Sequence, residues 1–137
     1  MAVFLDRNIK DRYFSPRSLL LLVNIVAILF IACESALESY NMGVEYENIG
    51  EYKKASEQYT KAIKIDPDFF QAYKNRGVVY LNLGQFELAI KDYDEFIKLV
   101  PEDAGAYWNR GVAYKGLGND IEAERNFKKS IELGYRP

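Results

Sequence analysis

The sequence predicts an all-α fold, a solenoid of three helix pairs that follows one hydrophobic N-terminal segment. A unit of 34 residues occurs three times after residue 35. Within this unit, glycine and proline recur at the positions where helices commonly end. The hydrophobic segment differs from the repeats because it has no charged residue between Ser18 and Cys33.

The repeat is clearest in two stretches, AYKNRGVVYLNLG from Ala72 and AYWNRGVAYKGLG from Ala106, which lie 34 residues apart. A more divergent copy precedes them, so three units fill residues 36–69, 70–103 and 104–137. Because a glycine closes the first half of each unit, we expect one helix to end there and a second to follow. The predicted helices are Leu37–Ile49, Lys53–Ile65, Gln71–Leu83, Glu87–Leu99, Gly105–Leu117 and Ile121–Leu133.

A second glycine lies in the middle of each first helix, where it costs about 1 kcal/mol relative to alanine. Such a cost is tolerated where a neighbouring backbone must come close. The sequence places small residues on the second helices, so we expect Ala55, Ala89 and Ala123 to be the close neighbours of Gly43, Gly77 and Gly111. The space between the helices is predicted to be filled by aromatic residues, namely Tyr46, Tyr59, Tyr80, Tyr93, Tyr114 and Phe127.

This combination of spacing, glycines, aromatic residues and prolines resembles the tetratricopeptide repeat. The resemblance implies a right-handed α-solenoid that acts as a scaffold and binds a partner protein or peptide in the concave groove of its first helices. By position, the groove residues would be Tyr40, Val44, Asn48, Lys74, Val78, Leu81, Asn82, Trp108, Val112 and Lys115. Gly105 and Gly116 would leave open space beside them.

The resemblance also identifies departures from the family. Some members hold a C-terminal carboxylate with lysines, asparagines and an arginine, but Tyr40 and Val44 replace a Lys and an Asn of that pattern here. We therefore do not expect a chaperone-tail adaptor. Arg76 and Arg110 stand where leucine is usual, and either pair with acidic residues of neighbouring helices or meet a partner carboxylate. Trp108 either binds the partner or packs against the next helix.

The hydrophobic segment of residues 1–32 has three interpretations. Four basic and two acidic residues precede its apolar run, and only acidic charges follow it until Lys53, which is the positive-inside pattern. Ala32-Cys33 resembles the end of a bacterial lipoprotein signal peptide, which implies lipidation of Cys33 and a three-repeat domain of residues 33–137. The alternatives are an uncleaved membrane helix, as in a single-span subunit of a membrane complex, and a buried helix of a soluble domain.

Composition narrows the function further. The chain has no histidine, one cysteine and a net charge of −2, so no common general base, disulfide or basic nucleic-acid surface is available. We expect no enzyme activity, no cofactor, no metal and no nucleic-acid partner. Without residues 1–32 the net charge is −4, which favours neutral or basic partners. The expected location is a bacterial membrane with the repeats on the periplasmic side, and the C-terminal helix is a candidate surface for self-association.

Overall fold

The computed structural model describes the backbone of residues 16–136 and the side chains of residues 20–28 and 35–136. Over these residues the protein is all-helical, as predicted. Helices α2 to α6 each begin and end within one residue of the predicted bounds. The six helices are α1 (Pro16–Asn48), α2 (Tyr52–Ile65), α3 (Phe70–Asn82), α4 (Phe86–Leu99), α5 (Ala104–Gly116) and α6 (Asp120–Glu132).

Helix α1 is longer than predicted because it contains both the hydrophobic segment and the first helix of the repeats. Proline is well tolerated in the first turn of a helix, and Pro16 begins this one. No proline or glycine follows it until Gly43, so nothing in the sequence breaks the helix between the two segments. The predicted boundary between residues 32 and 33 therefore falls inside a continuous helix.

The N-terminal half of α1 extends away from the solenoid. Seven large apolar side chains between Leu20 and Ile28 are 51–65% exposed. By contrast, Ala36 is only 1% exposed, and from this residue onward α1 packs against α2. Among the residues that are described, no helix is both long enough and apolar enough to cross a membrane.

The helices are arranged as three pairs in chain order. Helices α1 and α2, α3 and α4, and α5 and α6 pack against each other, and each pair contacts the next through its second helix. Gly50, Gly84 and Gly118 have positive φ angles of 76°, 69° and 73°, which confirms the predicted left-handed helix ends. Tyr59 and Tyr93, each fully buried, lie at the centre of two hydrophobic clusters that hold the pairs together.

The close neighbours of the mid-helix glycines are mainly aromatic rings, not the predicted alanines. A Cβ atom on Gly43 would lie 2.6 Å from the Tyr59 ring, and one on Gly111 would lie 2.7 Å from the Phe127 ring. Only the third repeat also brings the alanine backbone close, with the Ala123 carbonyl oxygen at 3.2 Å from that position. The prediction of a close approach was correct, but the neighbour in contact is the ring one turn further along the second helix.

Candidate functional site

The first helices of the three pairs lie side by side, since α3 contacts both α1 and α5. All ten predicted groove residues belong to these three helices. They occur at positions that repeat every 34 residues, so they form three related groups along the solenoid. Binding of a partner at these residues stays a prediction.

In the first two repeats, the groove residue nearest the start of the helix is held by the turn that follows the second helix. The Tyr40 ring lies 5.0 Å from the Phe69 ring, measured between centroids. The Lys74 Nζ lies 2.7 Å from the Asp103 carboxylate and 5.3 Å from the centre of the Phe96 ring. These contacts fix the two side chains in place and neutralise the charge of the lysine.

Trp108 occupies the same position in the third repeat. Its ring centre lies 4.6 Å from that of Phe127 on α6 and 4.8 Å from that of Tyr135 in the turn after α6. The structure therefore gives Trp108 the packing role of the two that the sequence allows. Its side chain is only half-buried, so part of the ring remains accessible to a ligand.

The valines of the groove become more exposed towards the third repeat. Val44 packs against the cluster around Tyr59, Val78 is half-buried, and Val112 is 38% exposed. Leu81 packs partly against the cluster around Tyr93. An apolar ligand side chain would therefore meet most accessible apolar surface at Val112.

Polar groove residues lie at the C-terminal ends of the same helices. Asn48 and Asn82 are the last residues of α1 and α3, and both are exposed. Lys115 is exposed in the last turn of α5. Asparagine amides offer both donors and an acceptor, which is the chemistry needed to bind a peptide backbone.

A polar network connects the first two repeats beneath the groove. The Tyr59 hydroxyl donates to Glu47 Oε2 over 2.6 Å, and the Asn75 amide donates to the hydroxyls of Tyr40 and Tyr59 at 3.0 and 3.4 Å. Burial and the hydrogen bond to Glu47 raise the pKa of Tyr59 well above its ordinary value. Tyr59 therefore stays a neutral hydrogen-bond donor, and the network holds the groove faces of α1 and α3 together.

The same network is incomplete in the second repeat. Tyr93 corresponds to Tyr59, but Leu81 stands where the first repeat has Glu47. The buried Tyr93 hydroxyl has no hydrogen-bond partner among the described residues. Asn109 is near enough to lower the pKa of Tyr93 slightly, whereas burial raises it and prevails. The second repeat thus carries an unsatisfied polar group that the first repeat avoids.

The two arginines that replace the family's leucines form structural ion pairs. Arg76 donates to both oxygens of Asp92 at 2.8 and 2.7 Å and to Thr60 Oγ1 at 2.8 Å. Asp92 is 4% exposed, and its burial raises the pKa of its carboxyl even though the hydrogen bonds from Arg76 lower it. Of the two roles considered for Arg76, the structure supports the contact with a neighbouring helix.

Arg110 forms the corresponding contacts in the third repeat with different partners. Its Nε donates to Asn126 Oδ1 at 2.8 Å, and its Nη1 lies 2.6 Å from Asp94 of the preceding repeat. Each arginine therefore connects the second helix of its own repeat with the second helix of the repeat before. This contact joins successive helix pairs rather than contributing to a ligand site.

One detail of the predicted groove is wrong. Gly116 does not leave open space, because a Cβ atom there would lie 2.6 Å from the Phe86 ring. Phe86 begins α4 and packs its ring into the place that a side chain at 116 would occupy. At Gly105, the nearest atom to such a Cβ is the Asp103 carboxylate oxygen at 3.2 Å.

Sequence reasoning missed three residues that shape the site. Asn75 joins the hydroxyls of two tyrosines, Asp103 pairs with Lys74 while accepting from the backbone nitrogen of Ala106 at 2.8 Å, and Tyr135 covers Trp108. The recurrence of Asn75 as Asn109 was a visible signal. Asp103 and Tyr135 lie in turns, where the repeat pattern gives little information about contacts.

The described residues offer no group of three or more metal-ligating side chains. The absence of enzyme activity stays a prediction. The side chain of Cys33, the predicted lipidation site, lies outside the described residues, and so do residues 1–15.

Comparison with known families gives one consistent result. The family described as "TPR repeat" matches residues 43–84 and 79–118, and the family described as "Tetratricopeptide repeat" matches residues 104–133. These matches cover well over half of the chain, as the resemblance of the sequence predicted. No curated protein is significantly similar to it.

Several solved structures are similar to the chain. A crystal structure of MamA is 33% identical with a TM-score of 0.70, and the match covers 72% of this chain and 58% of MamA. The second TPR of Spaghetti (RPAP3), bound to the HSP90 peptide SRMEEVD, is 30% identical with a TM-score of 0.69 and coverages of 72% and 92%. The Arabidopsis OM64 TPR domain is 26% identical with a TM-score of 0.72 and coverages of 75% and 85%. The chain spans little more than half the length of the MamA structure.

Proposed function

Because the chain belongs to the tetratricopeptide repeat family, we propose that it is a non-catalytic adaptor that binds a segment of a partner protein along α1, α3 and α5. The observation that carries this proposal is the side-by-side arrangement of these helices, with Val78 half-buried and Val112 38% exposed between polar side chains. The solved TPR of Spaghetti that binds an HSP90 peptide supports peptide binding as the activity of this arrangement.

The charges of the groove favour a peptide other than the acidic one bound by that neighbour. Lys74 is neutralised by Asp103 at 2.7 Å, and the Glu47 carboxylate accepts from Tyr59. Tyr40 and Val44 occupy two positions where a carboxylate-binding groove has polar or basic residues. We expect the ligand to place apolar side chains over the valines while Asn48 and Asn82 bind its backbone.

Selection from a random peptide library with the full-length protein tests this proposal. Peptides that are recovered should be enriched in apolar residues, and their affinity can be measured by fluorescence anisotropy. Val112→Lys should weaken binding at least about tenfold, since a charge would replace apolar contact area. Leu88→Lys on α4 is the matched control, because Leu88 is 40% exposed and lies away from the groove helices.

Equal loss of affinity in the two variants, or recovery of peptides that bind both variants as tightly as the wild type, would contradict the groove assignment. Thermal unfolding of each variant separates loss of binding from loss of folding. A selection that yields only peptides with an acidic C-terminus would contradict the proposed ligand chemistry, although not peptide binding itself.

The adaptor is further proposed to be tethered to a bacterial membrane through a lipid on Cys33, with the repeats on the periplasmic side and a role in envelope assembly. The sequence of the segment supports this, through its charge-free run and the Ala32-Cys33 pair. Removal of residues 1–32 would leave intact all described contacts between α1 and α2, because the side chains of Leu20–Ile28 are exposed. Tethering would also raise the effective concentration of a membrane-bound partner.

Intact mass and N-terminal peptide sequencing of the protein from native membranes test the tether. A chain that begins at a lipid-modified Cys33 is the expected result. A chain that begins at Met1 without lipid would contradict it and would support the alternative, a subunit of a membrane complex that keeps its apolar helix.

A further inference from the structure

The outer face of α1 carries acidic side chains where the other first helices carry small buried residues. Glu38 and Glu45 correspond by the 34-residue period to Ala72 and Val79, which are both fully buried against the preceding helix pair. Both glutamates are exposed. Together with Leu37, Asn41 and Met42 they line an open cleft on the side of α1 that no described helix covers.

The outer face of α6 shows the opposite charge. Lys128 and Lys129 correspond to Asp94 and Glu95 of α4, and Asn126 corresponds to the buried Asp92. Three negative charges of α4 are thus replaced by two positive charges and a neutral amide. Lys128 and Lys129 are exposed and, with Arg125, line an open cleft of about 440 Å³ on α5 and α6.

The joints within the solenoid show how two such faces meet. At the joint between α4 and α5, Asp94 lies 2.6 Å from Arg110, and at the joint between α2 and α3 the corresponding Thr60 lies 2.8 Å from Arg76. If α1 of another molecule packed on α6 in the same way, Lys128 would take the place of Asp94 and Met42 that of Arg110. Glu38 and Glu45 lie four residues before and three residues after Met42, so they share its helix face.

We infer that the protein associates head to tail, with the acidic face of α1 in one molecule docked on the basic face of α6 in the next. The occupant of each face is a second copy, because each face carries the charge that the other lacks. Such a heterologous contact does not close on itself, so it forms short linear assemblies instead of a symmetric dimer. It uses surfaces other than the proposed groove and does not depend on the proposed function.

A contact of this kind is driven by charge and is therefore sensitive to salt. Exposed charges at an interface mainly steer and orient association, and their attraction falls as the Debye length shortens from about 10 Å at 0.1 M salt to a few ångströms near 1 M. We expect reversible assemblies at low salt that dissociate as salt is added. Association through the exposed apolar residues of α1 would instead persist or strengthen at high salt.

Carbodiimide cross-linking of the full-length protein in a mild non-ionic detergent tests the inference. The reagent joins carboxylates to amines in direct contact, and mass spectrometry then identifies the peptides. Links from Glu38 or Glu45 to Lys128 or Lys129 are expected, and they report two molecules because α1 and α6 do not contact each other within one chain. Mixing isotope-labelled and unlabelled protein identifies these links as intermolecular.

Charge reversal supplies the controls. Glu38→Lys with Glu45→Lys should abolish assembly, as should Lys128→Glu with Lys129→Glu, and mixing the two variants should restore it because their new charges are complementary. Lys61→Glu with Lys64→Glu, two exposed lysines of α2, should change nothing. The inference is overturned if the wild type gives none of the expected links at low salt. Assembly that survives high salt and both reversals would equally overturn it and would assign association to the apolar part of α1.

Discussion

The Tyr59 hydroxyl donates to the Glu47 carboxylate over 2.6 Å, whereas the corresponding hydroxyl of Tyr93 is buried without a partner. The difference follows from one position, since Leu81 replaces Glu47 in the second repeat. The third repeat has Phe127 at this place and needs no partner. The three repeats thus provide an internal comparison of a satisfied hydroxyl, an unsatisfied hydroxyl and none.

This comparison predicts opposite effects for the same substitution. Tyr59→Phe should destabilise the protein by about 1–2 kcal/mol, because it removes a hydrogen bond to a charged group. Tyr93→Phe should be neutral or should stabilise by up to about 1 kcal/mol, because it removes an unsatisfied buried polar atom. Urea unfolding at neutral pH measures both, and an equal loss in the two variants would show that Tyr93 has a partner in solution.

The arginine contacts predict a loss of stability and its rescue. Asp92→Asn should destabilise by about 3 kcal/mol, because Arg76 would keep its buried charge without its bidentate carboxylate partner. Adding Thr60→Asp should recover most of this loss, since it recreates the contacts of Arg110 with Asp94 and Asn126. Urea midpoints of the two single variants and the double variant test this. Additive effects of the two substitutions would contradict the geometric equivalence of the repeats.

The contact between Gly116 and Phe86 predicts that a small side chain is harmful at this exposed position. Gly116→Ala should cost about 1–3 kcal/mol through overpacking, even though alanine is about 1 kcal/mol better than glycine in a helix. Lys115→Ala, one residue away and exposed, should change stability by less than about 0.5 kcal/mol. In a Phe86→Leu background the cost of Gly116→Ala should shrink. A stabilising Gly116→Ala would mean that the ring moves aside readily.

The stacking of Trp108 on Phe127 and Tyr135 predicts that Trp108 contributes to stability as well as to binding. Trp108→Ala should lower stability by about 3 kcal/mol, and Tyr135→Ala by about 0.5–1.5 kcal/mol. The double variant should lose less than the sum, because the two rings share one contact. Thermal unfolding followed by circular dichroism tests this. Fully additive losses would show that Tyr135 does not cover Trp108 in solution.

The helices and the core were predictable because the repeat contains both the stop signals and the packing residues. A 34-residue period with positive-φ glycines fixed five of the six helices to within one residue. The extension of α1 was missed, although the lack of glycine and proline from residue 17 to residue 42 is visible in the sequence. The repeat pattern suggested a helix start at Leu37 that no local signal requires.

The contacts around the groove were less predictable. The pairing of Lys74 with Asp103 and the stacking of Tyr135 on Trp108 depend on how turns fold back on the helices, which spacing alone does not give. The closure of the Gly116 position depends on Phe86, a residue of another repeat. Periodicity thus predicted which face of each helix lies in the groove, but not which side chains on that face are free to bind.

A crystal structure of the protein with a library-selected peptide tests the central claim most directly. The account predicts a peptide that lies along α1, α3 and α5, with apolar side chains on Val78 and Val112 and with backbone hydrogen bonds to Asn48 or Asn82. A peptide bound to the second helices, or to the charged faces of α1 and α6, would contradict the assignment of the groove as the binding site.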